Sequence, residues 1–420
     1  MRTIHTISIL LATVALSANI AAQSTVNVPA DYSSIQDAIS ASLTGDTIMV
    51  SAGTYPENLD FQSKGLVLKS VDGASATTIS GGANNTLLLL DNTPATTVVD
   101  GFTLTGGNGR PSSSSWGADY YGGAVHASNG AIALVKNCSL IRNQITTGTF
   151  AGGAYAGGAG TQLTLEHCVI AYNHAWASGG ATLADYYAEI TLNRCTVFGN
   201  TSNDFFGQQG GVAGANHGDT WVNDCIIWGN SGNQIDAFGS PYNAGVDFYV
   251  TYTDVEGGYL GTGNISGNPL FFDTNNDDFT LLTGSPCIDA ANPSSSLDPD
   301  GSRADMGAYP MTGSAFTISG TGLLSGAGAT LSCANAPSGS VVFFIYSVVG
   351  QGSYTLPSGI VVDLIQPKKL ARVLPDINGQ NTISGIVGSG IGKSFWAQAI
   401  AVNSMAGTWV LSNVITETIN

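Results

Sequence analysis

The chain has 420 residues, 43% of them hydrophobic and only 10% charged, a composition that can bury large cores, predicts two domains and excludes a disordered chain. Its 55 glycines, abundant β-branched residues and lack of long Leu, Glu, Lys and Ala runs predict an all-β class. A formal net charge of −17 argues against nucleic acid as a partner, because phosphate binding needs clustered Lys and Arg, and it repels acidic polysaccharide unless cations such as Ca²⁺ intervene.

Residues 1–22 carry Arg2, an apolar run from Ile7 to Leu16 and small residues at Ala21 and Ala22, the pattern of a secretory signal peptide cleaved near Ala22. The apolar run is shorter than the ~20 residues a spanning helix needs, and no later run is long enough either. Export to the cell surface or medium is therefore expected. In the next stretch, Ile35, Ala38, Ile39 and Leu43 have the spacing of the buried face of a short helix.

From residue 122 onward the chain repeats itself. Paired glycines at 122–123, 152–153, 179–180 and 210–211 keep step with Cys138, Cys168, Cys195 and Cys225, and an asparagine follows each cysteine five residues later at Asn143, Asn173, Asn200 and Asn230. Around the cysteines, apolar and other residues alternate in short runs such as "AIALVKNCSL" and "AEITLNRCTV", which marks strands. Units of this size, holding short strands and no helix-length segment, predict a solenoid whose coils stack about 4.8 Å apart. The cysteines then form an inward ladder beside Leu140, Ile170, Val197 and Ile227. The asparagines stack at a bend, where Asn tolerates left-handed backbone and its amide reaches the next coil. The glycines turn a corner too tight for a side chain. Six cysteines in an exported chain also admit disulfides, but four in one stacked position are poorly aimed at one another for a bond of strict geometry.

The segment "YSSIQDAISASLTGDTIMVSAGTYPENLDFQSKGLVLKS" resembles the opening of secreted pectin-lyase-like, right-handed parallel β-helix proteins, where a short helix caps the first coil. "NHAWASGGA" is similar to the GGA-type repeat of polymorphic outer-membrane proteins, and "GNISGNPLFFDTNNDDFTLLTGSPCIDAANPSSSLDPDGSRADMGAYP" resembles the closing segment of bacterial β-helix proteins. The resemblance implies a parallel β-helix with an amino-terminal helical cap over residues 23–310. It leaves the chemistry open, since one solenoid hosts lyases, hydrolases, esterases, epimerases and adhesins. The chain has "NHGD" at Asn216–Asp219, but no GHG, RxK or DPH phrase and none of the phrases of pectin methylesterases.

Candidates for function are the less regular residues between the markers. Trp116, Tyr120, Tyr155, Trp176, Tyr186, Tyr187 and Phe206 could face sugar rings in a cleft, or pack turns against the coil. If the protein is an enzyme, a lyase or epimerase acting on uronate glycan, the catalytic candidates are Asp185, His217, Asp219 and Arg142. Asp273, Asn275 and Asp277 alternate as Ca²⁺ ligands do, without completing an EF-hand loop; turn chemistry is the alternative. In "DPDGSRAD", an Arg303 to Asp pair is expected to fix the end of the solenoid.

After residue 310 the repeat stops. Strands such as "GATLSCANA", "GSVVFFIYSVV" and "KSFWAQAIAV" alternate with turn residues and predict a small Ig-like β-sandwich over residues 311–420, in which Cys333 has no partner cysteine. The sequence thus frames three readings: a β-helix binding extended polysaccharide along its face, a lyase or epimerase, and an adhesin-like rod without catalysis.

Overall fold

The computed structural model describes residues 23–81, 85–114, 117–145, 150–203, 209–238, 242–299 and 302–310, and the strands between 317 and 418. Residues 1–22, where a leader is expected, Trp116 and Phe206 lie outside the described residues, as does the side chain of Tyr120.

The described strands from Thr25–Val28 to Asp254–Val255 build a parallel β-helix with three sheets. The first has nine strands from Thr25–Val28 to Phe248–Thr251, the second eight from Gly53–Tyr55 to Asp254–Val255, and the third seven from Leu59–Asp60 to Ile235–Ala237. Each coil contributes one strand to each sheet in turn, and every pairing within the three sheets is parallel. A chain that leaves a strand and returns parallel to it does so in the right-handed sense.

Equivalent residues of successive coils stack. Ile48, Leu68, Val99, Val135, Leu165, Leu192, Val222 and Val250 form one inward column of the first sheet. Leu140, Ile170, Val197 and Ile227 form one in the second, as the repeat predicts. Each such side chain contributes about 1.5–3 kcal/mol on burial. The helix Ile35–Ala41 closes the open end, burying Ile35, Ala38 and Ile39, with Ser34 capping it and Glu57 accepting from the amides of Ile35 and Gln36. Leu43, expected on that buried face, lies past the helix and is 61% exposed.

The cysteines occupy the turn from first to second sheet, each after a residue with positive φ: Asn137, His167, Arg194 and Asp224. All four are buried and form no disulfide, and burial pushes the Cys138, Cys168 and Cys195 thiols far above their usual range. The column extends beyond the cysteines. The amide of Phe102 reaches the Cys138 sulfur at 3.4 Å, and that of Cys225 reaches the Thr253 hydroxyl at 3.3 Å. Position, rather than sulfur chemistry, defines the ladder.

The asparagines stack as predicted, with one difference. The left-handed residues are those just before them, Arg142, Tyr172, Gly199 and Gly229. This frees each asparagine to bond in three directions. Asn173, for example, receives the Asn143 amide nitrogens on its Oδ1 at 3.0 Å and donates from Nδ2 to Asn200 Oδ1 and Leu140 O at 2.9 Å. Gln234 ends the row by accepting from Asn230 Nδ2 at 2.8 Å.

The paired glycines are not in register as pairs. Gly123, Gly152, Gly180 and Gly210 share one column, where a Cβ on Gly123 would sit 2.1 Å from the carbonyl oxygen of Gly152 and one on Gly180 2.5 Å from that of Gly210. The other glycine of each pair, Gly122, Gly153, Gly179 or Gly211, falls alternately before and after that column.

The closing segment folds back over the outer face of the second sheet. Its hairpin, Phe271–Asp273 with Asp278–Leu281, packs Phe271 and Phe279 on Phe198 with ring centroids 5.5 and 5.4 Å away. Gly307 donates to Asp224 O at 2.8 Å, and Arg194 pairs with Asp298 at 3.3 Å. Arg303 donates to the carbonyls of Ala290 and Ala291, Arg194 is the cation that pairs with Asp298, and Asp300, one of the aspartates expected to pair with Arg303, lies outside the described residues. Beyond residue 316 the described strands pair antiparallel, with Val341–Ser347 and Ser394–Asn403 forming the longest ladder and burying Val342, Phe344, Gln398 and Ile400.

Candidate functional site

The outward residues of the first sheet are half-buried or exposed, as in Ile132–Lys136, whereas Ala154–Gly157 and Thr182–Asp185 of the third sheet are buried on both faces. The cause lies in the bend that leads into the third sheet. There the coil from Phe102 to Cys138 takes 36 residues, and the extra length is an antiparallel hairpin, Arg110–Ser114 with Gly117–Tyr121. Tyr121, at its end, packs on Tyr155 at 4.7 Å and on Phe150 at 5.6 Å between ring centroids, and Phe150 packs on Phe238 at 5.1 Å.

This arrangement leaves a cleft of about 460 Å³ lined by Arg110, Pro111, Tyr121, His126, Ser128, Asn129, Tyr155, Gly157 and Tyr186. Its polar edge follows one column of the sheet: Asp91, Ser128, Gly157 and Asp185. Asp91 accepts from Ser128 Oγ and Asn129 Nδ2, both at 2.6 Å, with Arg110 at 4.0 Å. At Gly157 a Cβ would stand 2.2 Å from the Tyr155 hydroxyl oxygen. The missing side chain lets the tyrosine lie along the strand and point its hydroxyl at Asp185 Oδ2, 3.4 Å away. The other oxygen of Asp185 accepts from Asn216 Nδ2 and the Tyr186 amide at 2.9 Å.

Burial sets the protonation of this floor. Desolvation raises the Asp185 carboxyl to about 6 in spite of its hydrogen bonds, and lowers His126 to about 4 with help from the Arg110 charge. Burial and then the Asp185 charge push the Tyr155 hydroxyl well up. At neutral pH His126 is therefore uncharged, and the cleft offers hydroxyl, amide and imidazole groups beside one guanidinium.

A pH dependence of stability follows. The folded Asp185 carboxyl keeps its proton up to about pH 6, while the unfolded one loses it near pH 4, so stability falls as pH rises through that window, by about 3 kcal/mol. Urea unfolding of Asp185→Asn beside the native chain should show the variant gaining by about that amount between pH 4 and pH 7. A difference that stays flat with pH would contradict the raised carboxyl.

The sequence candidates are only partly brought together. Tyr155 and Tyr186 line the cleft and Asp185 lies under it, while Trp176, half-buried in the bend before Thr182–Asp185, is not among the lining side chains. Tyr187 stacks on His217 at 4.6 Å in the turn from third to first sheet, and Asp219 opens the following strand, accepting from the Asp247 amide at 3.2 Å. Arg142 belongs to a different bend: it makes a bidentate pair with Asp277 at 2.6 and 2.7 Å and lies over the Tyr172 ring at 5.1 Å. The four catalytic candidates therefore do not form one constellation. Of the Ca²⁺ candidates, Asp277 is committed to Arg142 and Asp273 accepts from the amide of Asn275 at 3.2 Å. Among the described residues no group of three or more His, Cys, Asp or Glu side chains could hold a metal ion. Missing from the candidates were Asp91, Arg110, Pro111, Ser128 and Asn129. The signal for them was the irregular coil length, which locates the inserted hairpin.

No family model and no curated protein sequence matches the chain. Similar solved structures include a pectin methylesterase mutant in complex with a hexasaccharide, at 12% identity and a TM-score of 0.30. Another is pectin methylesterase in complex with a second hexasaccharide, at 12% and 0.32. A third is pectin methylesterase PemA from Erwinia chrysanthemi, at 11% and 0.29. Each match covers 58% of this chain and 93% of the other.

Proposed function

We propose that the protein is an exported solenoid, secreted or held at the cell surface, that binds polysaccharide in the third-sheet cleft. The observation that carries this reading is the cleft itself. Tyr121, Tyr155 and Tyr186 stand beside Arg110, Ser128 and Asn129 in an open trough of about 460 Å³. A sugar ring is apolar on its faces and rich in hydroxyls at its rim, and aromatic walls with a rim of mixed donors and acceptors match both properties. Export rests on the leader over residues 1–22.

The test is affinity for a panel of uronan, cellulose, mannan and host-glycan fragments, measured by calorimetry on the native chain and on Tyr186→Ala. Tyr186 is 53% exposed, so its truncation leaves the core intact. Roughly tenfold weaker binding in the variant is expected. No binding by the native chain to any fragment would refute the proposal.

One observation favours a catalytic form of this reading, lyase or epimerase. Asp185, a carboxyl that holds its proton to about pH 6, lies against the Tyr155 hydroxyl under the cleft. Shortened, unsaturated or epimerised products in the same incubations, absent with Asp185→Asn, would establish it.

A further inference from the structure

Four of the five exposed tyrosines among the described residues, Tyr186, Tyr187, Tyr242 and Tyr249, lie at one corner of the solenoid. Tyr186 lines the cleft, and its neighbour Tyr187 faces the other way round the turn into the first sheet. Tyr186, Tyr187 and His217 hold left-handed backbone angles of 49°, 64° and 62°. Such angles disfavour side chains of this size by about 1–2 kcal/mol each.

Past the turn, the outward face of the first sheet carries a second ring pair, Trp221 on Tyr249, with centroids 5.1 Å apart and planes 16° from parallel. The Tyr187 and His217 rings are 4.6 Å apart and 3° from parallel. Both pairs stack along the solenoid, coil upon coil, so each pair spends only its facing surfaces. Before Tyr187 in its column stands Gly160, where a Cβ would meet nothing nearer than the Gly130 Cα at 3.9 Å. Before Trp221 stands Thr191, a small side chain. Each pair thus keeps an outer ring face beside a small residue.

Charge narrows the ligand. The column flanking Trp221 and Tyr249 runs Glu189, Asp219 and Asp247, and the Asp247 charge, with smaller effects from desolvation and Asp219, raises the Tyr249 hydroxyl. Carboxylates accept hydrogen bonds from sugar hydroxyls and repel uronates. The column on the other side is neutral: Asn223 Nδ2 donates to Asn193 at 3.1 Å and Thr251 Oγ1 to Asn223 at 2.9 Å.

We infer that a neutral oligosaccharide held in the cleft continues round this corner onto the first sheet, with Tyr187 and Trp221 as a second sugar subsite. This rests on the cleft reading and adds a path and a charge class to it. Rings already fixed by stacking lose little freedom when a ligand arrives, which favours them as a binding surface.

Calorimetry with neutral disaccharides and hexasaccharides of glucose, mannose and xylose, beside oligogalacturonates, separates the two claims. The expected result is that Trp221→Ala and Tyr187→Ala weaken a neutral hexasaccharide roughly tenfold and leave the disaccharide unchanged, whereas Tyr186→Ala weakens both. Tyr249→Ser serves as a second variant should Trp221→Ala unfold, which circular dichroism reports. A hexasaccharide bound no better than a disaccharide, or equally by native chain and corner variants, overturns the second subsite while the cleft stands. Binding of oligogalacturonate alone overturns it too. If nothing binds at all, the cleft reading fails first.

Discussion

Replacing Asn173 with alanine will cost the folded chain about 3–5 kcal/mol. The side chain is fully buried, and its Oδ1 is the acceptor for both the backbone and side-chain nitrogens of Asn143. Its Nδ2 serves Asn200 Oδ1 and Leu140 O. Alanine leaves the Asn143 amide and the Leu140 carbonyl short of partners that water cannot replace, and it breaks a row whose members polarise one another. Urea unfolding of the full chain followed by circular dichroism measures the loss. A cost below about 1 kcal/mol would mean that the row is ornamental and that packing alone holds the coils.

The second large effect is at Gly123. A methyl group there would lie 2.1 Å from the Gly152 carbonyl oxygen and 2.9 Å from the Asn143 Cβ, and these belong to the next turn of backbone, which cannot swing aside as a side chain can. Relieving the overlap means separating two coils along several ladder hydrogen bonds, so Gly123→Ala is expected to cost about 4 kcal/mol. Gly130→Ala is the comparison. Its φ of +80° makes a side chain strained, yet nothing lies within 4 Å of the new atom, and a loss of only about 1 kcal/mol is expected. A loss at Gly123 no larger than that at Gly130 would show that close approach does not select glycine in this column, since Gly123 holds no left-handed angle.

Much of the architecture was legible because a stacked coil repeats its constraints. Cys138, Cys168, Cys195 and Cys225 announce one column, and the asparagines another, since each coil meets the same neighbours. Where the column continues with a different residue, as with Phe102 and Thr253, spacing by residue type could not find it. Register was misjudged by one at the double glycines for a related reason: the sequence shows that two small residues are needed, and only the coils' mutual offset shows which of them touches. Leu43 fitted a helical period that ended before reaching it.

The cleft was less legible than the coil. Tyr155, Tyr186 and Asp185 stood out as irregular residues in regular surroundings, and they do meet. Arg110 and Asp91 lie outside the four-unit repeat, so no periodic marker pointed to them; the hairpin insertion brings Arg110 over, and stacking brings Asp91 beneath Ser128. Arg142 stood among the catalytic candidates in a chain where basic residues are scarce, with 12 Lys and Arg against 29 Asp and Glu, a scarcity that counts against a lyase. That scarcity has another origin in the structure. Arg142 and Arg194 each pin the closing segment to the coil, and Lys64 donates to the last carbonyls of the capping helix at 2.8 and 2.9 Å.

Amide hydrogen exchange on the full chain with a glycan bound will locate where polysaccharide binds. Protection concentrated at residues 110, 121–129, 154–157 and 185–187 is the predicted result. Protection confined to the strands beyond residue 316, with those segments unchanged, would contradict it.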